Sequence, residues 1–161
     1  MRRLLKLVVT ALVLFLIGAQ FMQPDRTNPP LSAAATFEAI VQPGPATAGV
    51  FQRACYDCHS NTTIWPWYSR IAPVSWLLVD DVREGRSHLN FSQWANYGRE
   101  VAVEKLKDAC EEVKSGGMPL WIYRIMHAKA RLSDEDIRIV CGAADQLGRS
   151  GAQGESPQMP H

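Results

Sequence analysis

Apolar positions along the chain fall into three regimes. Residues 4–22 (LLKLVVTALVLFLIGAQFM) are apolar almost throughout, relieved mainly by Lys6, Thr10 and Gln20. Between residues 47 and 148 the apolar positions recur at helical spacing. After Ala152 only Met159 remains, so residues 149–161 read as a loose tail. Within the middle regime, Val50, Phe51 and Ala54 share a face of a helix over 48–59, and Val74, Leu77, Leu78 and Val82 share one over 74–84. Val101, Val103, Leu106, Ala109, Cys110 and Val113 stripe a helix over 99–115, with Lys and Glu opposite, and Gly116-Gly117 stop it. A last helix starts at Ser133 as N-cap. Asp134, Glu135 and Asp136 complement its positive end, and Ile137, Val140, Cys141 and Ala144 make its stripe up to Leu147. No run alternates apolar and polar residues for the length of a strand, so the expected fold class is all-α.

The first regime begins with Arg2, Arg3 and Lys6 and no acidic residue. Counted from Leu4 to Met22 it has 19 residues, which as a helix spans about 28 Å, near the thickness of a bilayer core. This predicts an N-terminal transmembrane helix over residues 1–22, acting as a signal anchor with its basic end in the cytoplasm. A cleaved signal ending at Ala19 is the competing reading, and Ile17 is then a poor match to the small residue wanted at −3. A buried core helix is the third reading, against which the clustered positive charge at one end counts; if the segment is a targeting element, the rest of the chain is exported to the periplasmic or extracytoplasmic side. Residues 23–46 hold five of the ten prolines, including Pro29-Pro30 and Pro43-Gly44-Pro45. They read as a tether with at most a short turn around 34–41. Residues 47–148 are then one domain, large enough for a single core.

Charge adds one exclusion. The chain has 17 basic and 16 acidic residues; with the three N-terminal cations set aside, the remainder is mildly acidic, and no basic face for nucleic acid is indicated.

The candidate chemistry sits at Cys55-Tyr56-Asp57-Cys58-His59. This is C-x-x-C-H, the spacing of c-type haem attachment. Two thiols on one helical turn can each form a thioether to a haem vinyl group, and the adjacent His59 imidazole is then aimed at the iron from the proximal side. A zinc site would need further ligands at matched spacing, and a thioredoxin-like pair would need a βαβ context. The expected cofactor is one covalent haem c. For the distal iron position Met118 is favoured, because Gly116, Gly117 and Pro119 shape a loop that presents its thioether; His127 or an open position are the alternatives, and His88 is placed at the surface. Met126 is a further candidate, and Met159 and His161 sit in the tail. The five tryptophans fall between His59 and Met126, and supply core and haem walls. Arg70 and Arg124 are candidates to neutralise the haem propionates, though each is more often a plain surface residue. Cys110 and Cys141 either pair, as an oxidising compartment favours, or remain two buried thiols. Asn61-Thr62-Thr63 and Asn90-Phe91-Ser92 match a glycosylation tripeptide, a weak signal that is discounted.

Beyond these motifs, CYDCHSNTTIWPWYSRIAPVSWLLVDDVREGRSHLNFSQW and GGMPLWIYRIMHAKARLSDED closely resemble the bacterial haem-binding-domain proteins, whose members are membrane-anchored and similar to monohaem c-type cytochromes. The segments Gln20-Phe21-Met22-Gln23-Pro24 and Asn28-Pro29-Pro30 look like that family's lead-in. The resemblance implies covalent haem on Cys55 and Cys58, His59 as proximal ligand and Met118 as distal ligand. Leu120 departs from the second proline that members more usually carry after Met-Pro. The expectation is therefore a small cytochrome c-like helical domain packed around one haem, transferring single electrons to an unidentified redox partner at the outer face of the cytoplasmic membrane. The alternatives are a haem sensor or peroxidase-like enzyme with an open distal site, and a subunit of a larger respiratory complex.

Overall fold

The computed structural model describes residues 1–152, with side chains as far as Arg149. Among them are eight α-helices and no strand: α1 Arg2–Ala19, α2 Phe37–Val41, α3 Pro45–Ala54, α4 Tyr56–His59, α5 Val74–His88, α6 Arg99–Ser115, α7 Trp121–Met126 and α8 Asp134–Ala152. The all-α expectation agrees with this. Residues 153–161, with Met159 and His161, lie outside the described residues, and residues 149–152 continue α8 through Gly148 instead of beginning a tail.

The N-terminal transmembrane helix expected from the sequence is overturned. Among the described residues no helix is long and apolar enough to cross a membrane. α1 spends its first turns on Arg2, Arg3 and Lys6 and ends at Ala19. Its charge-free part, residues 7–19, is 13 residues, about 20 Å of helix against the roughly 30 Å of a bilayer core. Apolar residues from Leu4 to Ile17 are exposed along it.

Residues 23–46 are not a free tether. Phe37 is fully buried in the domain core, and the segment before it is pinned through polar contacts. The Gln20 carboxamide brackets Ala72, donating to its carbonyl and accepting from its N–H, both at 3.1 Å. Arg26 reaches the Ser69 carbonyl at 3.3 Å, the Trp76 indole N–H donates to the Met22 carbonyl at 2.7 Å, and Asn28 donates to the Thr63 carbonyl at 3.0 Å. Proline-rich backbone cannot pair in a ladder, so the segment is held instead by its own side chains reaching distant carbonyls and by Asn61, which donates to the Pro30 carbonyl at 3.1 Å.

The core is built on α3, α6 and α8 with the 3₁₀ segment Phe91–Asn96. Phe37 meets Phe51, Phe91 and Trp94 edge-on, with ring centres 4.8–5.4 Å apart, the preferred arrangement for ring quadrupoles. Leu106, Val113, Val140 and Ala144 close the α6–α8 seam, and a Cys110–Cys141 disulfide staples it with a Cα separation of 4.7 Å. α8 starts as a capping box: the Asp136 N–H donates to the Ser133 hydroxyl at 3.2 Å while the Ser133 N–H donates to the Asp136 carboxylate at 2.8 Å, satisfying two groups that a helix start leaves open.

Candidate functional site

α3 breaks at Cys55, whose φ and ψ of −123° and −36° let the chain start again as the single turn α4. Two bonds close that turn, from the Cys58 N–H and the His59 N–H to the Cys55 carbonyl, at 3.2 and 2.8 Å. Cys55, Cys58 and His59 thereby line one cavity of about 910 Å³, at the upper end of small-molecule sites. Both cysteines are unpaired thiols. Burial, then the neighbouring Cys58, pushes the Cys55 thiol up to about 12. Burial, then Asp57 and Asp81, brings Cys58 to about 12 as well. Each sulfur is therefore held as a neutral thiol. Among the described residues no three His, Cys, Asp or Glu side chains gather to hold a metal ion by themselves.

His59 is oriented by its second nitrogen. Nδ1 lies 3.1 Å from the Leu89 carbonyl, so Nδ1–H donates there and Nε2 keeps its lone pair, the arrangement that aims a histidine at a metal. Burial holds its pKa below the usual histidine range, keeping the ring neutral. α5 presses directly on this turn. A Cβ on Gly85 would stand 2.8 Å from the Cys58 carbonyl oxygen, so only glycine lets the two backbones approach this closely. One residue later, Arg86 donates to the Ser60 carbonyl at 2.8 Å, to the Thr63 hydroxyl at 2.8 Å and to Asn28 at 2.7 Å. It ties the turn after His59 to the N-terminal segment. Behind it, buried Asn61 and Asn90 bond to one another at 2.9 Å, which removes both from the surface where a glycan would attach.

The opposite wall comes from the loop between α6 and α7. Gly116 ends α6 at φ 77°, the left-handed conformation glycine adopts without strain, and the Met118 N–H returns to the Glu112 carbonyl at 3.1 Å. Met118 is half-buried and lines the same cavity as His59, so the structure brings Cys55, Cys58, His59 and Met118 around one space. His127, His88 and Met126 also border it, the last two exposed.

Several sequence expectations are redistributed. None of the five tryptophans lines the cavity. Trp94 belongs to the aromatic core, while Trp67 and Trp121 are largely exposed. The aromatic walls are Phe51, Phe91, Tyr68 and Tyr123. Arg70 and Arg124 are not among the lining residues; Lys105 lines the cavity instead, as do Asp81, Glu84, Asp108, Glu111 and Glu112, and its ammonium donates to the His88 carbonyl. The sequence reading missed Asp57, which lies between Cys55 and Cys58. Its Oδ1 accepts from the Ile64 N–H at 3.2 Å and its Oδ2 from the Tyr123 hydroxyl at 2.6 Å. Its place inside C-x-x-C-H was the signal available.

The donor set around this cavity fits a haem. Two neutral thiols sit on one turn, an oriented neutral imidazole follows them, a thioether stands on another element, and mostly apolar side chains enclose the space between. No curated protein and no solved structure matches the chain. Residues 14–146 match the model of the haem-binding domain, which spans the N-terminal segment as well as the core, and the chain belongs to that haem-binding family.

Proposed function

We propose that the chain carries one covalent c-type haem and passes single electrons to a redox partner protein on the extracytoplasmic side. Cys55 and Cys58 would hold the group through two thioethers, with His59 as proximal and Met118 as distal iron ligand. The observation that carries this reading is the convergence of the C-x-x-C-H turn and the Met118 loop on one largely apolar cavity. When bound, the haem supplies a one-electron Fe(II)/Fe(III) couple, whose potential a His/Met ligand pair raises.

The chain's own residues do the rest. The Leu89 carbonyl fixes the tautomer and direction of His59. Gly85 and Arg86 hold the attachment turn against α5. Phe51, Leu78, Val82 and Val140 keep water from the interior of the cavity. The extracytoplasmic setting is supported by the Cys110–Cys141 disulfide, since such bonds persist in oxidising compartments, and by a basic-then-apolar N-terminal stretch suited to directing export.

The test is to produce the full chain in a host able to mature c-type cytochromes. Haem should stay with the polypeptide on a denaturing gel and be lost from it when Cys55 and Cys58 are both changed to Ala. The ferric protein should show the far-red charge-transfer band of a thioether-ligated haem, and Met118→Ala should remove it. A reduced protein that is high-spin and five-coordinate at neutral pH would refute the distal assignment.

A further inference from the structure

A polar belt on the cavity wall holds His127, and nothing in haem attachment requires it. The Tyr68 hydroxyl lies 2.8 Å from His127 Nε2. His127 Nδ1 lies 3.9 Å from Asp57 Oδ2, and the Tyr123 ring packs edge-on against the imidazole with centres 4.1 Å apart. Asp57 is itself fixed by Tyr123 and Ile64. A carboxylate on the Nδ1 side favours the tautomer with the proton on Nδ1, in which Nε2 holds the lone pair. Tyr68 O–H therefore donates into that lone pair. Burial raises the Tyr68 pKa and so keeps the phenol protonated as a donor.

This matters because His127 borders the same space as His59 and Met118. Imidazole is a good ligand for iron, and exchanging a thioether for a second imidazole removes the rise in potential that methionine gives. An imidazole with a free Nε2 on this wall is a competitor for the distal position.

We propose that Tyr68 is a positioning residue for ligand choice: by occupying the Nε2 lone pair of His127 it keeps that imidazole off the iron and leaves the distal position to Met118. The inference rests on the Met118 reading given under the proposed function. Asp57 and Tyr123 serve it by holding the other side of the ring.

The test uses the full haem-loaded chain and three variants, Tyr68→Phe, His127→Gln and the double variant. Tyr68→Phe keeps the ring and removes only the hydroxyl. It is expected to lose the thioether band, acquire the low-spin ferric paramagnetic-resonance signature of two imidazoles, and show a lower reduction potential. The double variant should regain the band and the parent potential, and His127→Gln alone should leave both unchanged. A Tyr68→Phe protein that keeps its band overturns the inference while leaving Met118 in place. Loss of the band that His127→Gln does not restore also overturns it, since Tyr68 would then act only through packing. Loss of the band in His127→Gln alone does the same. Absence of the band in the parent protein removes the Met118 reading, and this inference with it.

Discussion

Replacing Cys110 and Cys141 together by Ala releases the staple between α6 and α8, and its cost follows from the length of chain it closes. The two cysteines are 31 residues apart, and in the chain-entropy treatment a loop of that size restricts the unfolded ensemble by about 3.7 kcal/mol at 25 °C. For a folding unit of ~100 residues the unfolding entropy near the midpoint is about 0.2 kcal/mol/K, so the midpoint should fall by roughly 15–18 °C. The functional consequence lies on the other face of the same helix. α6 turns Lys105, Asp108, Ala109 and Glu112 toward the cavity while Cys110 holds its back to α8. Thermal unfolding of the haem-loaded chain, followed by far-ultraviolet circular dichroism and by haem absorbance, gives both quantities. Adding a thiol reductant to the parent protein should reproduce the shift. A fall of less than about 5 °C, with the same unfolding amplitude, would refute the entropic account and mean that the α6–α8 seam holds without its bridge.

Gly85→Ala should cost about 1–3 kcal/mol, the usual range for forcing an atom into a filled contact, because its Cβ would meet the Cys58 carbonyl 2.8 Å away; a reduced yield of covalently loaded protein and a lower denaturant midpoint would register it. Arg86→Lys should destabilise by about 2 kcal/mol in urea titrations, since a point charge cannot replace the planar fork that reaches Ser60, Thr63 and Asn28 together; a midpoint equal to the parent's would count against the clamp. Partial burial tends to raise the Asp136 pKa, but the Arg53 guanidinium at 2.5 Å and the Ser133 N–H and hydroxyl outweigh it and hold the carboxyl below its ordinary range. Its contribution is therefore complete above the unfolded carboxyl pKa of about 3.9 and is lost as pH falls through the lower folded value. Stability measured against pH should show a smaller acid limb in Asp136→Asn than in the parent protein.

Helices with a repeating stripe were legible in the sequence, as α6 illustrates. Its apolar positions and Gly116 predict residues 99–115, the span the chain adopts. α7 was not legible, because six residues make too short a window for periodicity, and Trp121, Ile122, Ile125 and Met126 are exposed despite being apolar. The proline-rich stretch misled for a different reason. Proline dictates extended backbone, which hangs free or lies against a domain equally well, and the partners that settle the matter (Arg86, Ser69, Thr63 and the core around Phe37) are distant in sequence. At the site, C-x-x-C-H and the Gly-Gly-Met-Pro loop carried local signatures. The Asp57–Tyr123 and Tyr68–His127 contacts carried none, since they join residues 66 and 59 positions apart.

The junction at Gln20 gives α1 a mechanical relation to the cavity. One carboxamide grips both the N–H and the carbonyl of Ala72, the Trp76 indole holds Met22, and α5 begins at Val74. The far end of α5 rests against Cys58 through Gly85. A continuous line of contacts thus runs from the end of α1 to the start of α5 and along that helix to the Cys55–His59 turn. The end of α1 is thereby tied to the start of α5 like a fitting on a bracket, and the same helix carries the wall of the cavity at Gly85.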